Sequence, residues 1–259
     1  MNAKMKVLSL ALVGLCGYAG SALAVCPVGP DTGHGGAWSA ALVGGGTSAI
    51  SIVTPGYDAS ACKLQVSLGN NGIAHAQVRD DSPATEVRYR AQFIFDPANL
   101  SGANGTNQAP IFLVNAAAPN GGTLSIAKVT FAGSGGGSVT AGKRLFIAAA
   151  DQGVAGGFTT VALPIVTQTG PNRIEIDLKI GAAGIGQLRY WVNDAATTGL
   201  LDTAPTGTIA LTSGNTGWVG VKTAFLGLTS PTLNYRAVNV GTNAWFDQFD
   251  SRRQTFIGH

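Results

Sequence analysis

The chain has 259 residues, of which 11% are charged and 45% hydrophobic, with a formal net charge of +3. So few charges, with no Lys/Arg cluster, argue against a nucleic-acid binder, which needs a basic surface to neutralise phosphates. The 37 glycines, together with many Thr, Ser and Asn, disfavour helix and suit short strands joined by tight turns.

Lys4 and Lys6, the apolar stretch from Val7 to Leu15 and the A-x-A site at Ala22-Leu23-Ala24 read as a secretory signal peptide over residues 1–24. Its apolar run is too short for a membrane span of about 20 residues, and no later segment comes closer. Cleavage would leave residues 25–259, enough for a single β-sandwich domain with a real core. It would remove two lysines and Cys16, so the charge of +3 would fall to +1. A secreted or periplasmic location is therefore expected. Cys26 and Cys62 remain, and an even pair in an oxidising compartment predicts a disulfide. The Gly-rich stretch from Asp31 to Gly46 is expected to be irregular.

Downstream, period-2 alternation recurs. In CKLQVSL, Cys62, Leu64, Val66 and Leu68 oppose Lys63, Gln65 and Ser67. In EVRYRAQFIF, Val87, Tyr89, Ala91, Phe93 and Phe95 oppose Glu86, Arg88, Arg90 and Gln92. Further strands are predicted at 49–53, 73–78, 111–115, 124–131, 145–150, 161–166, 173–180, 187–193, 208–211, 218–226, 235–240 and 245–249. Such a series means an antiparallel sandwich or barrel. GSGGGS at 133–138 reads as a hairpin loop rather than a domain linker.

Several motifs nearly appear. Gly137 to Arg144 approaches a phosphate-binding loop, but Arg144 stands where Ser or Thr would hold magnesium, and a strand follows instead of a helix. GHGG at 33–36 lacks any G-x-S-x-G nucleophile elbow to serve. His34, His75 and His259 are scattered singly, so no metal site is expected. Asp80, Asp81, Asn104 and Asn107 read as turn formers, with a calcium loop the weaker alternative. No other cofactor is implied.

The most informative stretch is RIEIDLKI, residues 173–180. Ile174, Ile176, Leu178 and Ile180 form one face and Arg173, Glu175, Asp177 and Lys179 the other. In QLRYWVND, Arg189, Trp191 and Asn193 share the polar face. A hairpin between the two strands would set Asp177 opposite Arg189 and Glu175 opposite Trp191. Glu175, Asp177, Arg189, Trp191 and Asn193 are thus candidate ligand-binding residues, exposed on a sheet, where an indole stacks on a sugar ring and polar neighbours take its hydroxyls.

The order RIEIDLKI, GQLRYWVND, GWVGVKTAFLG, AWFDQFDSRR resembles the concanavalin-like or laminin-G-like jelly-roll sandwich over about residues 86–253. The resemblance implies two curved antiparallel sheets and a glycan or polysaccharide partner bound on a concave polar face or loop rim. Family 16 glycoside hydrolases of that superfamily carry E-[I/L]-D-x-(x)-E, and Glu175-Ile176-Asp177 matches its start. Lys179 and Ile180 stand where the second glutamate belongs, so the general acid of a retaining mechanism is missing. The expectation is a secreted, non-enzymatic glycan-binding or adhesive protein. A self-assembling extracellular protein and a glycosidase or lyase are the alternatives.

Overall fold

A computed structural model describes residues 26–70, 73–97, 99–101, 107–117, 123–132, 142–152, 157–252 and 255–258. The expected signal peptide at 1–24, the stretch 133–138 read as a hairpin loop, Asn104 and His259 lie outside the described residues.

Fourteen strands run in order: β1 Ala40–Gly44, β2 Ala49–Val53, β3 Lys63–Ser67, β4 His75–Asp80, β5 Arg88–Asp96, β6 Gln108–Ala117, β7 Thr123–Ala132, β8 Arg144–Ala150, β9 Phe158–Pro164, β10 Asn172–Lys179, β11 Gln187–Asp194, β12 Gly207–Ala210, β13 Val221–Leu228 and β14 Asn243–Arg252, with one helix, α1 Leu233–Val238. They form two seven-stranded antiparallel sheets. Sheet I has the order β1-β4-β13-β6-β7-β8-β9 and sheet II the order β12-β11-β10-β5-β14-β3-β2. The expected all-β two-sheet sandwich is the observed fold.

Alternation explains the packing. Ala74, Ala76 and Val78 of the β4 region point inward, as do Leu145, Ile147 and Ala149 of β8 and Ile174, Ile176 and Leu178 of β10, all essentially without solvent contact. Aromatic pairs fasten the sheets together: Phe93 of sheet II meets Phe112 of sheet I at 5.1 Å, and Phe95 meets Phe131 at 5.3 Å. Such tilted and edge-on pairs add to the burial of the rings themselves.

Two expectations are corrected. The segment read as a strand at 235–240 lies mostly in α1. Thr232 caps it by accepting the Tyr235 N–H at 3.3 Å, and the local cap outweighed an apolar pattern too short to distinguish helix from strand. Within the stretch expected to be irregular, residues 40–44 form β1 and pair with β4. Ala, Leu, Val and Gly on this edge strand are mostly half-buried and show no inside-outside alternation to read. Cys26 and Cys62 form the expected disulfide, with Cα atoms 5.8 Å apart.

Candidate ligand-binding faces

The β10–β11 register is the expected one: Asp177 faces Arg189, Glu175 faces Trp191, and Arg173 faces Asn193. On the other flank of β10, Asp177 faces Arg90 and Glu175 faces Gln92 of β5. The outer face of sheet II therefore collects charge from three adjacent strands. It does not lie open, and the expected exposure of its residues is corrected.

Asp177, 1% exposed, accepts two hydrogen bonds from Arg88 at 2.9 Å, two from Arg189 at 3.0 and 2.6 Å, and one from Arg90 at 3.1 Å. Asp202, from the connection after β11, bridges Arg90 and Arg189 at 2.9 Å each. Burial alone would raise the Asp177 carboxyl. The bonds from Arg88 and Arg189 and the charges of Arg90 and Arg88 outweigh it and hold the group below its ordinary value. A carboxylate fixed in its ionised form by three guanidinium groups is suited neither to donating a proton nor to attacking a sugar.

Glu175, also buried, accepts the backbone N–H groups of Ile257 at 3.1 Å and Gly258 at 3.0 Å. Its carboxyl is pushed upward by burial, against the pull of those two N–H groups. Trp191 is 1% exposed: Phe256 packs on its ring at 5.1 Å, and its Nε1–H donates to the Leu201 carbonyl at 3.1 Å. Arg173 donates to Asp58 at 2.9 Å and to the Ala195 carbonyl at 3.1 Å, while Asn193 is half-buried opposite it. Contacts from residues 58, 195–202 and 256–258 thus roof the face. The sequence signal for this roof was Phe256-Ile257, an apolar pair in the terminal segment, together with an indole on an otherwise polar strand face.

The outer face of sheet I is different. Arg79 of β4 faces Phe225 of β13, which faces Leu113 of β6. Leu113 faces Lys128 of β7, which faces Ala148 of β8, and that residue faces Thr160 of β9. This row crosses the sheet, and Arg79 and Lys128 are three strand spacings apart, about 14 Å. Arg79, Phe225, Leu113 and Lys128 are all half-exposed. Lys128 Nζ sits 4.4 Å above the Phe158 ring. It lines a depression of about 220 Å³ with Gln108, Thr130, Phe146, Thr160 and Thr232. The strands of sheet I carry one carboxylate, Asp80, in the inward register of Ala76 and Val78. In β13, Gly227 has φ +127, and a Cβ there would meet the Ala76 carbonyl oxygen at 2.5 Å. Glycine keeps this part of the face flat.

Among the described residues, no group of three or more His, Cys, Asp or Glu converges as metal ligands. Asp80 accepts the Ser82 N–H at 2.8 Å and Asp81 pairs with Arg79 at 2.8 Å; Asn107 is buried. No helix among the described residues is long and apolar enough to cross a membrane.

No protein-family model matches the sequence, and no curated protein matches it. Solved structures do match in fold. An endo-β-1,4-glucuronan lyase from the fungus Trichoderma reesei superposes with a TM-score of 0.58 at 13% identity, covering 84% of this chain and 91% of its own. A variant of the alginate lyase Aly36B, in complex with alginate tetrasaccharide, gives 0.57 at 10% identity, covering 90% and 94%. The cellulose-induced protein Cip1 gives 0.52 at 15% identity, covering 86% and 93%. The chain shares the β-sandwich fold of these proteins.

Proposed function

We propose that the protein is a secreted, polysaccharide-binding β-sandwich that takes an acidic chain across the outer face of sheet I. The observation that carries this reading is the row from Arg79 to Thr160. It offers two cations about 14 Å apart, the Phe225 ring and Leu113 between them, and no carboxylate within the row itself; the carboxylate beside it, Asp81, is paired with Arg79. Arg79 holds only a surface partner, Asp81, with both side chains more than a third exposed. Such a pair contributes little and yields readily to a ligand carboxylate. Uronate polymers are named for the glucuronan and alginate lyases of the same fold, and the Cys26–Cys62 bridge suits an oxidising compartment.

Binding rather than cleavage is favoured by what the row contains. Removing a proton beside a carboxyl group needs a base near neutrality, and along the row itself the titratable side chains are Arg79 and Lys128.

Titration calorimetry with alginate and glucuronan oligosaccharides is expected to show binding that weakens with added salt. Lys128→Glu is expected to weaken it at least tenfold, about 1.4 kcal/mol, while leaving the fold intact. Equal affinity of Lys128→Glu, or equal binding of a neutral glucan by the wild type, would overturn the proposal. Ultraviolet absorbance from new unsaturated chain ends would show a lyase instead.

A further inference from the structure

The polar face of sheet II is capped by a segment that matches what a sugar would offer. Phe256 lies on the Trp191 indole at 5.1 Å, where a pyranose would stack, and Ile257 and Gly258 donate two N–H groups to Glu175, as two hydroxyls would. Beneath Phe256 the Arg90 guanidinium lies 5.7 Å from its ring; Arg90 is fully buried, and its Nε and Nη1 have no hydrogen-bond partner. Gln92, 4% exposed and directly opposite Glu175, leaves its Oε1 unpaired. Buried donors and acceptors without partners are costly and uncommon. Here they converge under one segment: an acceptor at Gln92, two donors at Arg90, an acceptor pair at Glu175 and an indole platform.

We propose that residues 255–258 are a displaceable strap over a second carbohydrate site, formed by Trp191, Glu175, Arg90 and Gln92, that takes a neutral pyranose. The ligand is neutral because four carboxyl groups already stand against four guanidinium groups: Asp177, Asp202 and Glu175 answer Arg88, Arg90 and Arg189, and Asp58 answers Arg173. A uronate would add an unmatched charge beside Glu175. When the strap lifts, the sugar ring replaces Phe256. Its hydroxyls replace the two N–H groups on Glu175 and supply partners that the strap, ending its donors at Glu175, leaves Gln92 and Arg90 without.

The strap holds on through few contacts. Besides Trp191, Glu175 and the Arg90 guanidinium beneath Phe256, the described one is Arg252 donating to the Phe256 carbonyl at 3.2 Å. Phe256 and Ile257 are only partly buried, and Phe256 belongs to neither the inter-sheet core nor its packed margin. Opening therefore leaves the sandwich intact.

The test uses the full-length Phe256→Ala variant and cellohexaose as a neutral probe, read by tryptophan fluorescence and calorimetry. Affinity is expected to rise at least tenfold over wild type and to return to the wild-type level in Phe256→Ala/Trp191→Ala. Binding of acidic oligosaccharides through Lys128 is expected to stay unchanged in both, which separates this site from the one on sheet I. In the unaltered protein, saturating cellohexaose is expected to speed hydrogen exchange at the Ile257 and Gly258 amides. No gain in affinity for folded Phe256→Ala overturns the proposal, and so does a gain that survives loss of Trp191. Should Phe256→Ala fold poorly, unchanged exchange at Ile257 and Gly258 in the wild type overturns it by itself.

Discussion

Asp177→Asn is expected to destabilise the fold by about 3–5 kcal/mol, the usual cost of removing one partner from a buried ionic cluster. The wild-type carboxylate gathers Arg88, Arg90 and Arg189, of which Arg90 is fully buried and Arg189 mostly so. With an amide in its place, Asp202 remains as the counter-charge for Arg90 and Arg189. That residue is nearly half exposed, so Asp202→Asn is expected to cost only about 1 kcal/mol or less. Urea unfolding measures both, through the midpoint at unchanged slope. A loss under about 1 kcal/mol for Asp177→Asn would mean that the arginines spread into solvent and that the cluster does not tie β5, β10 and β11 together.

The same cluster sets an acid limit. Asp177 has a lower pKa folded than unfolded, so its stabilisation is complete above the unfolded value of about 3.9 and is lost as pH falls through the folded value. Glu175 and Asp247 act in the opposite sense. Burial raises both despite donated backbone N–H groups, so each favours the fold most when protonated and contributes progressively less as pH rises from about 4 through its raised value. The acid limb of the stability profile is therefore expected to flatten in Asp177→Asn below about pH 4, and the limb just above it to flatten in Glu175→Gln. Identical profiles for wild type and Asp177→Asn below pH 4 would remove Asp177 as the determinant.

The second large effect is the disulfide. Cys26 and Cys62 are 36 positions apart, and closing a loop of that length restricts the unfolded chain by about 4 kcal/mol in the chain-entropy description. Cys62→Ser, or reduction of the wild type, is expected to lower stability by that order. The N-terminal segment is expected to suffer first. It contributes Trp38, which packs on Phe249 of β14 at 4.5 Å, while the Cys62 end adjoins β3 in the body of sheet II. Thermal unfolding with and without reductant measures the total, and hydrogen exchange at residues 31–44 locates it. No change on reduction would show that contacts such as Trp38–Phe249 hold the segment unaided.

Much of the sandwich was legible in the chain. Alternation of apolar and polar residues over 62–68, 86–95, 173–180 and 187–193, broken on the polar side only by Ile94 and Trp191, determined four strands of sheet II, which faces turn inward, and the pairing of Asp177 with Arg189 and Glu175 with Trp191. These follow from local geometry: side chains on a strand alternate, and a one-residue slip would have buried the wrong set. Where alternation failed the sequence was silent or misleading. The small residues of β1 carry no such pattern, and at 233–238 a Thr cap decided for helix.

Whether a polar face is open or covered is not a local property. Arg88, Glu175, Asp177 and Trp191 have the same spacing on a bare sheet as on a roofed one, and the roof comes from residues 58, 195–202 and 256–258, the last about 80 positions further along the chain. Likewise, the Arg79–Phe225–Leu113–Lys128 row draws on four strands of which only β6 and β7 are consecutive, and only antiparallel pairing in the order β4-β13-β6-β7 sets all four side by side. Composition and periodicity determined which residues point away from the core; long-range topology alone decided which of those meet solvent.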